Sequence, residues 1–204
     1  MKIPHRIIDY LEHGMSSHGW MTKEKGTALV LSVLTNSPVI AVEIGVYSGR
    51  SLLAIAMALR ENGSGMVFGI DPWAPGASVK GFPKTDENHR WWGDLNHESI
   101  YDMFMDDMNR LGLQNQITVL RGTSEDAFTH GDIPEPIDFL HIDGNHSEEA
   151  SVYDVTHWVP KVRKGGHVWF DDMDWQTTKA AQQKLLETCN YATSVDKCGV
   201  YIKR

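Results

Sequence analysis

The chain has 204 residues, 41% apolar and 23% charged, with 19 Lys plus Arg against 27 Asp plus Glu and a formal charge of −8. That length holds one α/β domain with a substantial core, and the composition is that of a globular protein. The negative charge disfavours non-specific binding to nucleic acid or anionic membrane, and no stretch approaches the roughly 18 apolar residues of a membrane span, so neither is expected as a partner.

Residues 4–13 read as a short amphipathic helix with Ile7, Ile8 and Leu11 on one face, broken at Gly14 and Gly19. Thr22 is placed to cap a second helix running to about Leu34. Asn36-Ser37-Pro38 stops it. The run Val39-Ile40-Ala41-Val42 is a first strand, and it enters Glu43-Ile44-Gly45-Val46-Tyr47-Ser48-Gly49-Arg50-Ser51. Leu52, Leu53, Ile55, Ala56 and Leu59 follow with helical spacing, so the unit is strand, tight turn, helix. Two glycines in the turn suit positive φ or close approach of a ligand, and the helix begins with free N–H groups.

Residues 66–70 form a second strand closed by Asp71. Residues 72–97 are long, polar and rich in Gly and Pro, yet carry Trp73, Phe82, Trp91 and Trp92. Such a segment reads as a lid-like insertion, or as a patch whose aromatics pack it onto the sheet. A helix over residues 99–111 follows, then a strand over 117–120 and the loop Gly122-Thr123-Ser124-Glu125-Asp126. A fourth strand, 137–142, leads to Asp143-Gly144-Asn145-His146, and Ser147 caps the next helix. Pro160 and Gly165-Gly166 end that helix, residues 167–170 are the fifth strand, and Asp171-Asp172 follow. A last helix over 177–188 precedes a two-stranded hairpin, 191–195 and 199–203. Cys189 and Cys198 show no zinc spacing and read as free buried thiols of a reducing compartment. The N-terminus has no apolar signal region, so a cytoplasmic location is expected. Residues 1–204 read as one domain, with N-terminal helices over 1–36.

Alternating strands and helices predict a doubly wound, mostly parallel sheet with helices on both faces and a C-terminal antiparallel hairpin. In such sheets ligands bind beyond the carboxyl ends of the strands. Those ends carry Glu43 with the glycine turn, Asp71, the 122–126 loop, Asp143 with His146, and Asp171-Asp172. Gly45-x-x-x-Gly49 lacks the G-x-G-x-x-G dinucleotide pattern, and Tyr47 leaves little room for a pyrophosphate. A cofactor without phosphates fits better, with Asp71 spaced to accept from ribose hydroxyls.

The stretch from Val42 to Ser51 resembles motif I of class I S-adenosylmethionine methyltransferases with a Rossmann-like fold, most closely the catechol O-methyltransferase branch. Asp71 is similar to that family's ribose-binding acid, and the Ser124-Glu125 loop to its adenine loop. Asp143, Asp171 and Asp172 are similar to its metal-binding positions. The stretch from His141 to His146 also resembles macrocin-type O-methyltransferases that modify sugars. The resemblance implies S-adenosylmethionine held by Met21, Glu43, Gly45, Tyr47, Gly49, Ser51, Asp71, Ser124, Glu125 and Asp143. It implies Mg²⁺ or another divalent ion on Asp143, Asp171 and Asp172, with Asp143 and His146 catalytic. Three neighbouring carboxylates repel one another, and a hard cation relieves that repulsion; aspartates held as helix caps or by a Lys or Arg are the alternative. The implied reaction is O-methylation of a small-molecule hydroxyl on a sugar, polyketide or phenol. Two alternatives stay open: an oxidoreductase on the same scaffold, such as a cephalosporin-hydroxylase-like enzyme, and a non-catalytic S-adenosylmethionine-binding protein. The N-terminal helix and the insertion are candidates for a homo-oligomer surface or a lid.

Overall fold

The β-branched run around Val42 is buried on both sides, as a central parallel strand requires. It forms β1, Ile40–Ile44, whose last four residues are buried. The computed structural model describes residues 2–204. Six further strands are β2 (Met66–Asp71), β3 (Ile117–Arg121), β4 (Ile137–Ile142), β5 (Val162–Phe170), β6 (Cys189–Val195) and β7 (Cys198–Lys203). They make one sheet in the order β3-β2-β1-β4-β5-β7-β6. The pairs among β1–β5 are parallel, and β7 is antiparallel to both β5 and β6. The expected parallel sheet with a C-terminal hairpin is therefore present. The hairpin is inserted so that its second strand, β7, joins β5.

The helices are α1 (His5–Asp9), α2 (Lys23–Asn36), α3 (Arg50–Asn62), α4 (Pro75–Ser78), α5 (Glu87–Gly93), α6 (His97–Arg110), α7 (Ser124–His130), α8 (Glu148–Trp158) and α9 (Lys179–Thr188). One face of the sheet packs α1, α2, α3 and α6 around Leu29, Val33, Leu52, Leu53 and Phe104. The other packs α7, α8 and α9 around Val155, Trp158, Ala181 and Leu185. None of the helices is long and apolar enough to cross a membrane among the described residues. Helix α3 is buried over Ser51–Leu59 and carries no side-chain cap at its N-terminus, where Gly49 sits at φ 82°. Strand order reverses at β1, which pairs with β2 on one side and β4 on the other. The glycine turn therefore opens at the crevice where such sheets bind ligands.

Four local readings of the sequence differ from the structure. The insertion is not irregular: α4 and α5 lie within it, with Asp86 capping α5 through Asn88 N–H. The 122–126 loop is the entry to α7, with Thr123 and Asp126 forming a reciprocal capping box. Strand β5 begins at Val162, earlier than the glycines suggested, because Gly165 and Gly166 are tolerated within it. The N-terminal helix changes to a π-helical turn over Tyr10–Gly14.

Gly45 is the tightest point of the turn. Its φ is +87°, and a Cβ there would lie 2.0 Å from the carbonyl oxygen of Asp143. A Gly45→Ala substitution combines a strained φ with a backbone clash between β1 and β4. It is expected to destabilise the protein by at least about 3 kcal/mol, read as a lowered urea midpoint with unchanged slope.

Candidate active site

The ladder hydrogen bonds run one residue past the ends of the strands. Gly45 N–H donates to Ile70 O at 2.9 Å, Gly122 to Asp71 at 3.1 Å, Asp143 to Ile44 at 2.8 Å, and Asp171 to Ile142 at 2.9 Å. This aligns the strand tips on one rim. Asp71 then reaches across to the neighbouring turn. Its Oδ2 accepts from Val46 N–H at 3.0 Å and Tyr47 N–H at 2.9 Å, and its Oδ1 accepts from Trp73 N–H at 2.7 Å. The Trp73 indole N–H donates to Tyr47 O at 2.8 Å. Tyr47 and Trp73 both sit at positive φ, 53° and 42°. One half-buried carboxylate thus holds two strained loops together. Burial pushes its pKa up, and the three N–H donors pull against that.

The N-terminal segment is fastened to the same turn. Arg50 donates to Ser16 O at 2.8 Å and to Met21 O at 3.2 Å, and Ser48 Oγ donates to His18 O at 2.5 Å. Two adjoining clefts result. The first is lined by Asp71, Ser124, Glu125 and the insertion residues Trp73, Lys80 and Phe82. The second is lined by Met21, Ser51, Lys25, Asp171, Asp172 and the aromatics Trp20, Trp91 and Trp175. Gly45, Tyr47, Trp92, Asp143 and His146 line both.

Most residues named from the sequence therefore converge on this rim, but two do not line either cleft. Glu43 is fully buried; its oxygens accept from Ser51 Oγ at 2.7 Å and pair with His141 Nδ1 at 3.1 Å. It supports the start of α3 from beneath, where direct cofactor contact was expected. Gly49 faces the Phe104 ring, which a Cβ would approach to 2.4 Å, so its absent side chain serves packing.

The expected trio Asp143, Asp171 and Asp172 does not come together as one set of donors. The ammonium of Lys25 is ion-paired with Asp171 and lies 3.3 Å from Asp143 Oδ2. Lys25 is 5% exposed. Burial pulls its pKa down, but Asp143 and Glu43 push it further up, so it stays charged. Asp172 instead faces His146, Oδ2 to Nε2 at 3.0 Å, and His146 packs on Trp175. Ligand atoms of Asp143, His146 and Asp172 lie within 4.8 Å of one another. Two carboxylates and one imidazole are a donor set that fits a divalent ion, whereas Asp171 is turned away from it toward Lys25. Burial raises the pKa of Asp172 against the opposing pull of His146.

Sequence reasoning missed two groups. Lys25 lies at helical spacing from the buried Leu29 and Val33, and a lysine on an apolar helix face was the available signal. Asp154 on α8 is buried, accepts from Ser124 Oγ, and lines the first cleft. Its spacing from Ser151, Val155 and Trp158 on the buried face of α8 was the available signal. The insertion is held down by Asn145, whose side-chain amide donates to Ala77 O, Ser78 O and Lys80 O at 3.0–3.2 Å. Its Trp91 and Trp92 join Trp20 and Tyr47 in one aromatic cluster with ring centroids 4.8–5.8 Å apart.

Residues 42–173, well over half the chain, match the family model described as a methyltransferase domain. The chain belongs to that family. Solved structures share its fold at low identity. The SAH-bound methyltransferase PaMTH1 of Podospora anserina is 13% identical with a TM-score of 0.68, covering 98% of this chain and 88% of its own. The O-methyltransferase TomG of Streptomyces achromogenes, involved in tomaymycin synthesis and solved with SAM, is 16% identical with a TM-score of 0.63, covering 99% and 91%. An O-methyltransferase from Bacillus cereus in complex with SAH is 16% identical with a TM-score of 0.61, covering 97% and 89%.

Asp154 gives a pH test of this geometry. Burial pushes its pKa from 3.8 up to about 7, with the Ser124 hydroxyl opposing and Glu125 adding to the rise. Between those values the folded chain holds a proton that the unfolded chain has lost. Its contribution is therefore neutral near pH 4 and increasingly destabilising as pH rises to 7. Asp154→Asn is expected to unfold at higher urea than wild type at pH 8, by about 1–3 kcal/mol, and to lose that advantage near pH 4.

Proposed function

We propose that this methyltransferase moves a methyl group from S-adenosylmethionine to a hydroxyl of a small molecule. The observation that carries the reading is that the two clefts meet at Gly45, Tyr47, Asp143 and His146. A cofactor whose adenosine fills the first cleft and whose methionine end enters the second would present its methyl group at that boundary. Asp71, Ser124 and Glu125 are the residues we assign to the nucleoside end. Met21, Ser51 and the uncapped N-terminus of α3 suit a carboxylate at the other end. The solved relatives that carry SAM or SAH in this fold support the choice of cofactor.

S-adenosylmethionine, when bound, supplies a methyl already made electrophilic by its sulfonium, so the chain mainly has to align the acceptor oxygen with it. The Asp172 carboxylate faces His146 Nε2 at 3.0 Å, which leaves Nδ1 as the ring nitrogen it does not engage. We assign His146 Nδ1 to take the proton of the acceptor hydroxyl. The aromatic cluster of Trp20, Tyr47, Trp91 and Trp92 walls the acceptor side and limits water there. A divalent ion held by Asp143 and Asp172, with His146 as third donor, would lower the pKa of the acceptor hydroxyl and replace the imidazole as the activating group. A sugar, polyketide or phenol hydroxyl is the acceptor class that suits such a wall.

Isothermal calorimetry with S-adenosylhomocysteine tests the cofactor. One site at micromolar affinity, with no heat from NAD, is expected; binding of NAD and not of S-adenosylhomocysteine would contradict methyl transfer. With an acceptor found by screening hydroxyl compounds for S-adenosylhomocysteine release, His146→Ala is expected to lower kcat by about 10²–10⁴ while leaving S-adenosylhomocysteine affinity unchanged.

A further inference from the structure

Asp171 and Asp172 are adjacent in sequence but serve different layers. Asp172 is in the left-handed region at φ 51°, and this turns it toward His146 in the cleft. Asp171 points inward, where its Oδ2 faces the Lys25 ammonium and lies 3.8 Å from His141 Nε2. Its Oδ1 accepts from Asp172 N–H at 3.1 Å. His141 is fully buried, with Nε2 free of any hydrogen-bond partner, and Cys198 closes the same pocket. Lys25 thus occupies the space between Asp143 and Asp171 that a cation shared by all three aspartates would need.

We propose that Lys25 is the resident cation of this acidic site and keeps Asp171 out of any divalent-cation shell. A metal ion then meets only Asp143, His146 and Asp172, and meets them beside a fixed positive charge. Removing that charge should both release Asp171 as a ligand and end the repulsion. The proposal concerns charge and geometry alone, and its test needs neither cofactor nor acceptor.

The test is titration of the purified protein with Mn²⁺, followed by calorimetry and by the electron paramagnetic resonance signal of free Mn²⁺. Lys25→Met is expected to bind Mn²⁺ at least about tenfold more tightly than wild type, and Lys25→Arg within about threefold of wild type, since it keeps the charge. Adding Asp171→Asn to Lys25→Met should remove the gain. A wild type that takes up no Mn²⁺, beside a Lys25→Met protein that does, is the same result at its limit. Lys25→Met affinity no better than wild type, or a gain that survives Asp171→Asn, would overturn the proposal. Should Lys25→Met be unstable, its melting temperature is read with EDTA and with Mn²⁺. A rise with Mn²⁺ larger than that of wild type is expected. A chain that stays unfolded with Mn²⁺ present contradicts it, because the metal then cannot take the place of the ammonium.

Discussion

The whole rim depends on the carboxylate of Asp71. Three backbone N–H groups, from Val46, Tyr47 and Trp73, point at it and at nothing else nearby. Without that acceptor the turn after β1 would present buried donors without partners, each costing about 1–3 kcal/mol. With it, two non-glycine residues are held at positive φ. The shape of the turn, the position of Tyr47 between the clefts and the exit of the insertion through Trp73 all follow from this one group. An acid at the tip of β2 is usually read for what it offers a ligand. Here it first organises the backbone of the turn, and of its roughly four lone-pair sites about one is left over for a ligand donor.

Beneath the rim lies a second, largely buried polar layer. Ser51, Glu43, His141, Asp171 and Lys25 form a chain of contacts that runs from the start of α3 across β1, β4 and β5 to α2. Charges this deep persist only in mutual company, and losing one member of such a pair is costly. The layer ties the start of α3 to the tips of β4 and β5 through the central strands. Within it the Lys25 ammonium offsets the charges of Asp143 and Asp171 at the tips of β4 and β5.

The sheet was readable from its residues because parallel strands are short apolar runs and their tips carry polar groups. Val39–Val42 with the glycine turn, and Asp71, Asp143 and Asp171-Asp172 at strand ends, gave both the architecture and the rim. What escaped was set by tertiary contact. Glu43 belonged to the glycine motif, but strand alternation does not tell whether a side chain meets a ligand or a buried histidine. Lys25 lies 118 residues from Asp143 in sequence, and no local pattern links them. The insertion lacked periodicity because its helices are short, at four and seven residues, and its order comes from Asn145 and the tryptophan cluster.

The most direct measurement is a crystal structure grown with S-adenosylhomocysteine. The adenosine should lie in the first cleft against Asp71 and Ser124. The sulfur should stand at the boundary between Gly45 and Asp143, with the homocysteine end toward Ser51 and Met21. A ligand found only in the second cleft, with its adenine stacked on Trp20 or Trp91, would contradict the assignment of the two clefts and of the methyl transfer between them.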